Sequence, residues 1–232
     1  MKLSIIIPIY NERNTIENLL NLIEEEKTLQ KQIVIVDDNS NDGSSEIITN
    51  FKFKSENTYI KHKKNCGKGA CIKSAKKFIT GDIVIIQDAD LEYNPKEYKK
   101  LIQPIIKNLT KVVYGSRVLN KKRYTATNFY SLSRVFYNHM LTIISNLINN
   151  QKLTDAHTCY KIFTADIFRS LDLKEDGFSF CPEVTTKLSR LGIDILELPI
   201  EYFGRTYKEG KKIKMIDGVK ALITLIKYRF YE

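Results

Sequence analysis

The sequence predicts an α/β fold in which a central, mostly parallel β-sheet is flanked by helices. In the first half of the chain, short apolar runs alternate four times with segments whose apolar residues recur at helical spacing. The runs are rich in Ile and Val, as in strands that are covered on both faces of a parallel sheet. Because the chain has 232 residues and is 43% hydrophobic, it can bury one large core.

The four strands are predicted at residues 3–8, 33–36, 59–62 and 83–87, with Pro8 ending the first of them. A polar loop and then a predicted helix follow each strand. In open α/β sheets, ligands bind at the carboxyl ends of the strands. The loops that follow these strands are therefore expected to form one binding edge.

Acidic residues follow the buried strand at residues 83–87. Asp88, Asp90 and Glu92 occupy alternate positions, which lie on one side of an extended chain. Carboxylates on one side repel one another and are costly to leave unpaired near a core, and a divalent cation would remove both problems. Oxygen ligands favour Mg²⁺, Mn²⁺ or Ca²⁺ over zinc. The alternative is a solvated acidic loop without a bound ion.

Two further loops are rich in groups that bind nucleotides. Asp37 and Asp38 open a loop at residues 37–44 whose side chains suit a ribose hydroxyl or a base, although the same residue types also form Asx-turns and helix caps. Gly67 and Lys68 precede a predicted helix, and glycines at such a position let backbone N–H groups approach a phosphate. The Walker pattern is absent from the sequence.

The second half of the chain contains two long amphipathic segments. Residues 128–150 and roughly 215–230 each place a row of apolar side chains on one helical face. Such a face is expected to belong to the core, to a dimer contact or to a membrane surface. Lys220, Lys227 and Arg229 accompany the last helix and would suit anionic lipid.

Charge and composition limit the classes of partner and the cellular location that can be expected for the protein. The 37 basic and 27 acidic residues give a net charge of +10, which favours an anionic partner, although no nucleic-acid-binding motif is recognised and no nucleic acid is expected. Neither a signal peptide nor an apolar run near the ~18 residues that span a bilayer is visible. The four cysteines are expected to be reduced thiols. The expected location is the cytoplasm, at the cytoplasmic face of a membrane if the protein contacts one.

Taken in order, several short motifs resemble those of family 2 glycosyltransferases, and most closely those of the dolichyl- or polyprenyl-phosphate sugar synthases. The resemblance covers nearly the whole chain. The motifs that carry it are Pro8-Ile9-Tyr10-Asn11-Glu12, the run from Val36 to Ser44, Asn65-x-Gly67-Lys68-Gly69, Gly81-Asp82, Asp88-Ala89-Asp90-Leu91-Glu92, Tyr114-Gly115-Ser116-Arg117, Thr154-Asp155, Phe180-x-x-Glu183 and the loop that contains Arg205.

The resemblance implies a GT-A fold and one catalytic domain over residues 1–232. Residues 1–118 would form the nucleotide-sugar-binding half, and residues 119–232 an acceptor half that contains the amphipathic helices. The implied activity is inverting transfer of a hexose from a nucleotide-diphosphate sugar of the GDP-mannose or UDP-glucose type, with Mg²⁺ or Mn²⁺ as cofactor. The implied acceptor is a polyprenyl or dolichyl phosphate.

The resemblance also implies roles for individual residues. Asp90 would be the principal metal ligand, with Asp88 near the donor sugar or the metal. Glu92 stands where these synthases often have Gln, and it adds a negative charge to the metal site. Arg117 would face the donor or acceptor phosphate. The nucleotide-sugar site would be formed by Pro8, Tyr10, Asn11, Glu12, Asp37, Asp38, Gly67, Lys68, Asp88, Ala89 and, on a loop that closes over the diphosphate, Arg205 and Lys211.

The acceptor decides whether a catalytic base is needed. A lipid phosphate has a second pKa near ~6, so it is largely ionised at neutral pH and needs no base. A glycan hydroxyl acceptor requires a carboxylate base, for which Asp155 is the candidate, although an Asp at this position can also cap a turn. A third hypothesis, which the positive charge alone allows, is a non-catalytic binder of nucleotide sugars or nucleic acid.

Overall fold

The computed structural model describes residues 1–120, 129–205 and 215–232, apart from the side chains of residues 129–134 and 215. Within these ranges the chain forms one seven-stranded sheet with helices packed on it. The strands are β1 (Lys2–Ile9), β2 (Gln30–Asp37), β3 (Glu56–Lys61), β4 (Ile83–Ile86), β5 (Val112–Ser116), β6 (Lys161–Thr164) and β7 (Ile195–Pro199). The helices are α1 (Ile16–Glu25), α2 (Ser44–Asn50), α3 (Lys68–Lys76), α4 (Tyr98–Ile106), α5 (Phe129–Asn149), α6 (Ala165–Ser170), α7 (Phe180–Arg190) and α8 (Met215–Phe230), with a short 3-10 helix at Pro95–Glu97 before α4.

The strands lie in the order β3-β2-β1-β4-β6-β5-β7. Neighbouring strands are parallel except around β6, which runs antiparallel to both β4 and β5. The chain moves outward from β1 through β2 to β3, and then places β4 on the other side of β1. The order of the strands therefore reverses between β1 and β4. The prediction of a mostly parallel sheet is confirmed.

Alternate side chains of the central strands enter two separate cores. In β1, Ile5 and Ile7 belong to the core that contains apolar residues of α1 and α4. Ile6 belongs to the core that contains residues of α3 and α7. All of β4 is buried. Because both faces of the sheet are covered, the strands need apolar residues at every position, which explains the continuous runs in the sequence.

The first strand is longer than the sequence predicts, since β1 continues through Pro8 to Ile9. Residues of one strand bond alternately to its two neighbours, and the Ile6 carbonyl accepts a bond from the β4 side. The nitrogen of Pro8 faces that same side, but the pairing of β1 with β4 ends where Ile6 meets Ile86. Proline therefore removes no ladder bond here, and the prediction that it ends the strand was wrong.

Helices α5 and α8 contact each other, and each exposes a row of apolar side chains. Helix α5 buries Thr142, Ser145 and Asn149 and exposes Ile143 and Leu147. The exposed row of α8 is equally apolar and consists of Ile216, Val219, Ile223, Ile226 and Phe230. These rows do not belong to the core, so that interpretation of the two apolar faces was wrong. Within the described ranges, no helix is both long enough and apolar enough to cross a bilayer.

Two glycines at the start of α3 join the two halves of the chain. A Cβ atom on Gly69 would lie 2.2 Å from the carbonyl oxygen of Glu175, and one on Gly67 would lie 2.5 Å from that of Asp176. Gly67 also has a φ of +100°, which L side chains rarely adopt. Glycine therefore lets α3 pack directly on the backbone of a distant segment.

We expect Gly69→Ala to lower the free energy of unfolding by about 1–3 kcal/mol, since the methyl group overlaps a backbone oxygen that cannot move aside easily. Urea denaturation measures this change. Gly218→Ala in α8 is the matched control, because the nearest atom to its Cβ would be Leu141 Cδ1 at 3.9 Å. In that helix the same substitution should stabilise by about 0.5–1 kcal/mol. Equal effects of the two substitutions would contradict the packing argument.

Candidate active site

Several strand ends meet at one edge of the sheet. Strands β1, β2, β4 and β5 run in the same direction, so their carboxyl ends at Ile9, Asp37, Ile86 and Ser116 share that edge. Strand β6 runs the other way and begins there, which brings the residues just before Lys161 to the same edge. The reversal of strand order between β1 and β4 lies within this group. α/β sheets bind ligands at such a position.

Asp37 stabilises the turn that follows β2. Its carboxylate accepts hydrogen bonds from the Ser40 amide at 2.8 Å, from the Ser45 hydroxyl and from the Tyr59 hydroxyl at 3.0 Å. Burial alone would raise the pKa of Asp37, but these hydrogen bonds hold it below its ordinary value. Both of its oxygens have partners within the chain. This favours the turn-forming alternative over the predicted nucleotide contact for Asp37.

Asp38 is buried and anchors the segment before α3. It accepts hydrogen bonds from the amides of Cys66 at 2.8 Å and Gly67 at 2.6 Å, and its Oδ1 lies 2.7 Å from His62 Nδ1. With Cys71, these side chains bring potential ligand atoms within 4.8 Å of one another. The carboxylate oxygens are already hydrogen-bonded, so the group needs no cation. The Gly67 N–H donates to Asp38, which corrects its predicted approach to a phosphate.

Asp88, just beyond β4, has a counter-ion from α3. The Lys68 ammonium group donates a hydrogen bond to its carboxylate, and Lys68 Nζ lies 3.1 Å from Cys159 Sγ. Burial by itself raises the pKa of Asp88, but the charge of Lys68 brings it below its ordinary value. Asp88 is therefore ionised at neutral pH. Lys68 neutralises a site carboxylate in this structure, where the sequence predicted a donor contact.

Asp90 lies among other carboxylates. Burial, together with the charges of Asp88 and Glu92, raises the pKa of Asp90 to about 7 even though Arg205 opposes the shift. Arg205 donates to Asp90 at 3.0 Å and to the two oxygens of Glu12 at 3.0 and 3.2 Å. The Arg205 backbone amide donates to Glu92 at 2.6 Å. Arg205 thus compensates part of a dense negative charge that comes from separate loops.

These residues fit a divalent cation in their chemistry. The donor atoms are carboxylate oxygens, which hard cations such as Mg²⁺ and Mn²⁺ prefer. The raised pKa of Asp90 indicates that the negative charge around it is not fully balanced. Among the described residues, however, the only group of three or more His, Cys, Asp or Glu side chains whose ligand atoms all lie within 4.8 Å is the one around Asp38. Asp88, Asp90 and Glu92 therefore do not all meet this distance in the present arrangement.

Arg117 and Asp155 form a buried ion pair at the other end of the edge. Arg117 Nε and Nη2 donate to the two carboxylate oxygens at 2.7 and 2.8 Å, and the Arg117 amide donates at 3.1 Å. Burial raises the pKa of Asp155, but Arg117 lowers it below its ordinary value. The Glu197 carboxylate holds the segment that contains Asp155, because it accepts hydrogen bonds from the backbone amides of Thr154 at 2.6 Å and Asp155 at 2.9 Å. The predicted base is thus the counter-ion of Arg117.

Tyr202 connects this pair to the acidic cluster. The Arg117 Cζ atom lies 5.1 Å from the centre of the Tyr202 ring, and the Tyr202 hydroxyl donates to Glu92 at 2.7 Å. The sequence reasoning gave no role to Tyr202 or to Glu197, although Tyr202 opens the loop that contains Arg205. The available signals were weak. Glu197 is the only charged residue of the apolar strand β7, and Tyr202 follows the carboxyl end of that strand, as other site residues follow theirs.

The remaining predicted residues lie along the same edge or outside the description. Pro8 and Tyr10 are half-buried at the end of β1, and Asn11 has a φ of 51° in the left-handed region that Asn tolerates. Ala89 is buried in the core between the two aspartates. Lys211 lies outside the described residues. The nucleotide contacts of these residues stay predictions.

Solved structures share this fold. Mannosyl-3-phosphoglycerate synthase from Rubrobacter xylanophilus has a TM-score of 0.74 and is 16% identical, with 98% of this chain and 72% of that chain covered. Glucosyl-3-phosphoglycerate synthase from Mycobacterium tuberculosis, solved with Mg²⁺ and uridine diphosphate, has a TM-score of 0.73 and 16% identity over 98% of this chain and 79% of that chain. The expected GT-A-type fold is confirmed.

Characterised sequences are similar over nearly the whole chain. Dolichyl-phosphate beta-glucosyltransferase ALG5A of Trichomonas vaginalis is 28% identical, over 99% of this chain and 73% of its own length. The UDP-N-acetylglucosamine--dolichyl-phosphate N-acetylglucosaminyltransferase of Methanococcus voltae is also 28% identical, over 96% of this chain and 94% of its own length.

The family evidence covers most of the site. The model for glycosyl transferase family 2 matches residues 4–172, which is more than half of the chain. This range runs from β1 through the acidic cluster after β4 to the Arg117–Asp155 pair and β6. The order of the motifs, the fold and this match agree with one another. The chain therefore belongs to glycosyl transferase family 2.

Proposed function

We propose that this glycosyltransferase moves a hexose, with inversion, from a nucleotide-diphosphate sugar of the GDP-mannose or UDP-glucose type to a polyprenyl or dolichyl phosphate. The observation that carries the proposal is the ion pair of Arg117 and Asp155. A hydroxyl acceptor needs a base, and Asp155 is a weak one because Arg117 outweighs burial and lowers its pKa. A phosphate acceptor needs a cation instead, and Arg117 is one. Two relatives are named for dolichyl-phosphate acceptors, which supports the proposal.

The donor would bind along the ends of β1, β2 and β4. Residues 8–12 after β1 would contact the base or ribose, and Asp38, whose two oxygens accept hydrogen bonds from backbone amides, would hold the neighbouring segment before α3 in place. Arg205 and Lys211 would contact the diphosphate. The proximity of Arg205 to Asp90 and Glu12 supports its part in this arrangement. Membership of a transferase family disfavours the hypothesis of a non-catalytic binder.

Asp88, Asp90 and Glu92 would hold Mg²⁺ or Mn²⁺. When bound, the ion supplies positive charge that stabilises the departing nucleoside diphosphate, which is commonly the largest catalytic contribution in such reactions. Arg205, which bonds Asp90 and Glu12, would face the diphosphate of the bound donor. Arg117 would orient the acceptor phosphate so that its oxygen attacks the anomeric carbon from the side opposite the leaving group.

The apolar rows of α5 and α8 would lie against a lipid bilayer. A helix that buries Ser145 and Asn149 while exposing Leu147 has the pattern expected when its outer side meets an apolar medium. Residues 129–149 contain no Asp or Glu, and Lys220 is exposed beside the row of α8, which suits anionic headgroups. Such a contact would give the peripheral membrane location that the sequence predicts. It would also bring the enzyme to an acceptor that resides in the membrane.

We expect Asp90→Asn to remove the response to Mn²⁺ and to lower hexose transfer by about 10²-fold or more, since developing charge is no longer balanced. The wild-type pKa of about 7, raised by burial and by neighbouring carboxylates, means that protons compete with the ion for Asp90. The rise in melting temperature on adding Mn²⁺ should therefore be larger at pH 8 than at pH 6. Thermal unfolding with and without Mn²⁺ measures this difference.

Without metal, the stability of the wild-type protein should decrease, and not increase, as the pH rises. The folded state binds the Asp90 proton more tightly than the unfolded state does, so wild-type stability falls as the pH rises from about 4 to about 7. This fall should be smaller in Asp90→Asn. Asp194→Asn, an exposed change outside the site, is the matched control and should behave as wild type. Full transfer activity of the wild type in EDTA would contradict the metal role.

The acceptor class is tested with Asp155→Asn. For a phosphate acceptor, the acid limb of kcat/KM reflects the second ionisation of the acceptor, near ~6, and should persist in the variant. We expect kcat to fall less than about tenfold while the KM for a short prenyl phosphate changes, because Asp155 only orients Arg117.

A different result would favour the second candidate function, transfer to a glycan hydroxyl, for which the position of Asp155 at the site edge is the supporting observation. Loss of about 10²–10⁴-fold in kcat with the glycan acceptor, and with donor binding intact, would show that Asp155 is a base. Initial rates across pH 5–9 with each acceptor class distinguish the two functions.

Membrane contact is tested with Leu147→Gln and Ile223→Gln, which place an amide in each exposed row. We expect each to reduce co-sedimentation with phosphatidylcholine vesicles that contain phosphatidylglycerol, because less apolar area enters the interface. Leu109→Gln is the matched control, since Leu109 is 73% exposed and Leu147 78% exposed but Leu109 lies outside the two helices. Unchanged vesicle binding, or a dimer that only the row variants dissociate in light scattering, would contradict the bilayer assignment.

A further inference from the structure

Tyr202 lies between two groups of opposite charge in the site. Its hydroxyl donates a hydrogen bond of 2.7 Å to Glu92, beside the predicted metal ligands. Its ring faces the guanidinium of Arg117, whose Cζ is 5.1 Å from the ring centre. Arg117 in turn is bound by Asp155. Opposite ends of this aromatic side chain therefore contact the acidic cluster and the acceptor-side cation.

The backbone around Tyr202 is hydrogen-bonded to the same residue, Glu92. The amide of Phe203 donates to the Glu92 carbonyl at 3.1 Å, and that of Arg205 donates to the Glu92 carboxylate at 2.6 Å. The ring folds back over Gly204, where a Cβ atom would lie only 2.8 Å from Tyr202 Cε1. Glycine at residue 204 thus permits the ring to occupy its position.

These contacts also account for a departure from the resemblance noted in the sequence. The synthases often have Gln at the position of Glu92. Here Glu92 accepts hydrogen bonds from the Tyr202 hydroxyl and the Arg205 amide on its two oxygens. A carboxylate accepts both bonds more strongly than a neutral amide oxygen would, because its acceptors are charged. Glu92 is therefore well suited to hold the segment from residue 202 to residue 205.

We propose that Tyr202 is a positioning residue that sets the separation between the metal side and the acceptor side of the site, with its hydroxyl holding Glu92 and its ring holding Arg117. The inference rests on the proposed function only for the identity of the two ligands, a divalent cation and a phosphate. Tyr202 itself acts through its neighbours. Displacements of about 1 Å between reacting groups can lower rates about 10²-fold, so a rigid link between the two groups matters.

Two substitutions separate the roles of the hydroxyl and the ring. Tyr202→Phe removes the hydroxyl that donates to Glu92 and keeps the ring. It should weaken the binding of Mn²⁺, measured by electron paramagnetic resonance without other ligands, about tenfold. It should leave the affinity for a short-chain prenyl monophosphate within about twofold, because the ring remains below Arg117. Tyr202→Leu removes both contacts, and should also weaken prenyl phosphate binding about threefold or more.

Tyr98→Phe is the matched control. The Tyr98 hydroxyl is buried and donates to Gln87 at the same end of β4, but Tyr160 also donates to Gln87, so the acceptor keeps a partner. Neither binding constant should change in this variant. Melting temperatures of all variants show whether a change in binding merely follows lost stability. If Tyr202→Leu does not fold, Gly204→Ala is used instead. Its methyl group would displace the Tyr202 ring and should weaken the binding of both Mn²⁺ and prenyl phosphate.

The outcomes distinguish this inference from the proposed function. Mn²⁺ binding by Tyr202→Phe equal to that of the wild type would overturn the role of the hydroxyl. Equal prenyl phosphate binding by the Phe and Leu variants would overturn the role of the ring. Wild-type protein that binds neither Mn²⁺ nor prenyl phosphate would contradict the proposed function and, with it, the inference.

Discussion

The crowding of carboxylates after β4 is the constraint on which the rest of the site depends. Asp88, Asp90 and Glu92 lie within five residues of chain, at a largely buried position where unbalanced charge is costly. Compensation comes from far away in the sequence. Lys68 approaches from α3 and Arg205 from the segment after β7. Charge balance at one strand end thus brings together elements from both halves of the chain.

The direction of β6 explains how the two halves come to share one site. If β6 were parallel to β4, the residues before it would lie at the opposite edge of the sheet. Because it is antiparallel, Asp155 and Cys159 reach the edge where β1, β2 and β4 end. Strand β7 is parallel to β5 and delivers Tyr202 and Arg205 to that edge by its carboxyl end. The position of Asp155 beside Arg117 therefore depends on a single reversal in an otherwise parallel sheet.

Sequence reasoning succeeded where the signal was local. The periodicity of the buried strands follows from backbone geometry, and so it could be read directly. The acidic residues were identified as well, but the extended chain predicted for them was wrong, because Ala89 and Asp90 form a turn and Leu91 has a φ of 60°. The pairing of Arg117 with Asp155 could not, because 38 residues separate them and the contact depends on β6. Tyr202 was missed for the same reason. The outward orientation of the apolar rows was also inaccessible, since a helical pattern marks a face without showing what covers it.

Helix α5 buries polar side chains and exposes apolar ones, so its solubility in aqueous buffer and the packing of the interior depend on different residues. In most helices, replacing apolar residues to improve behaviour in aqueous buffer erodes the interior. Here the inward side carries buried polar residues, and the Asn149 amide donates to Thr186 of α7 at 3.1 Å. The outward positions contribute little to that packing. A detergent-free form for crystallisation can therefore be engineered on the outer row without repacking the hydrophobic interior.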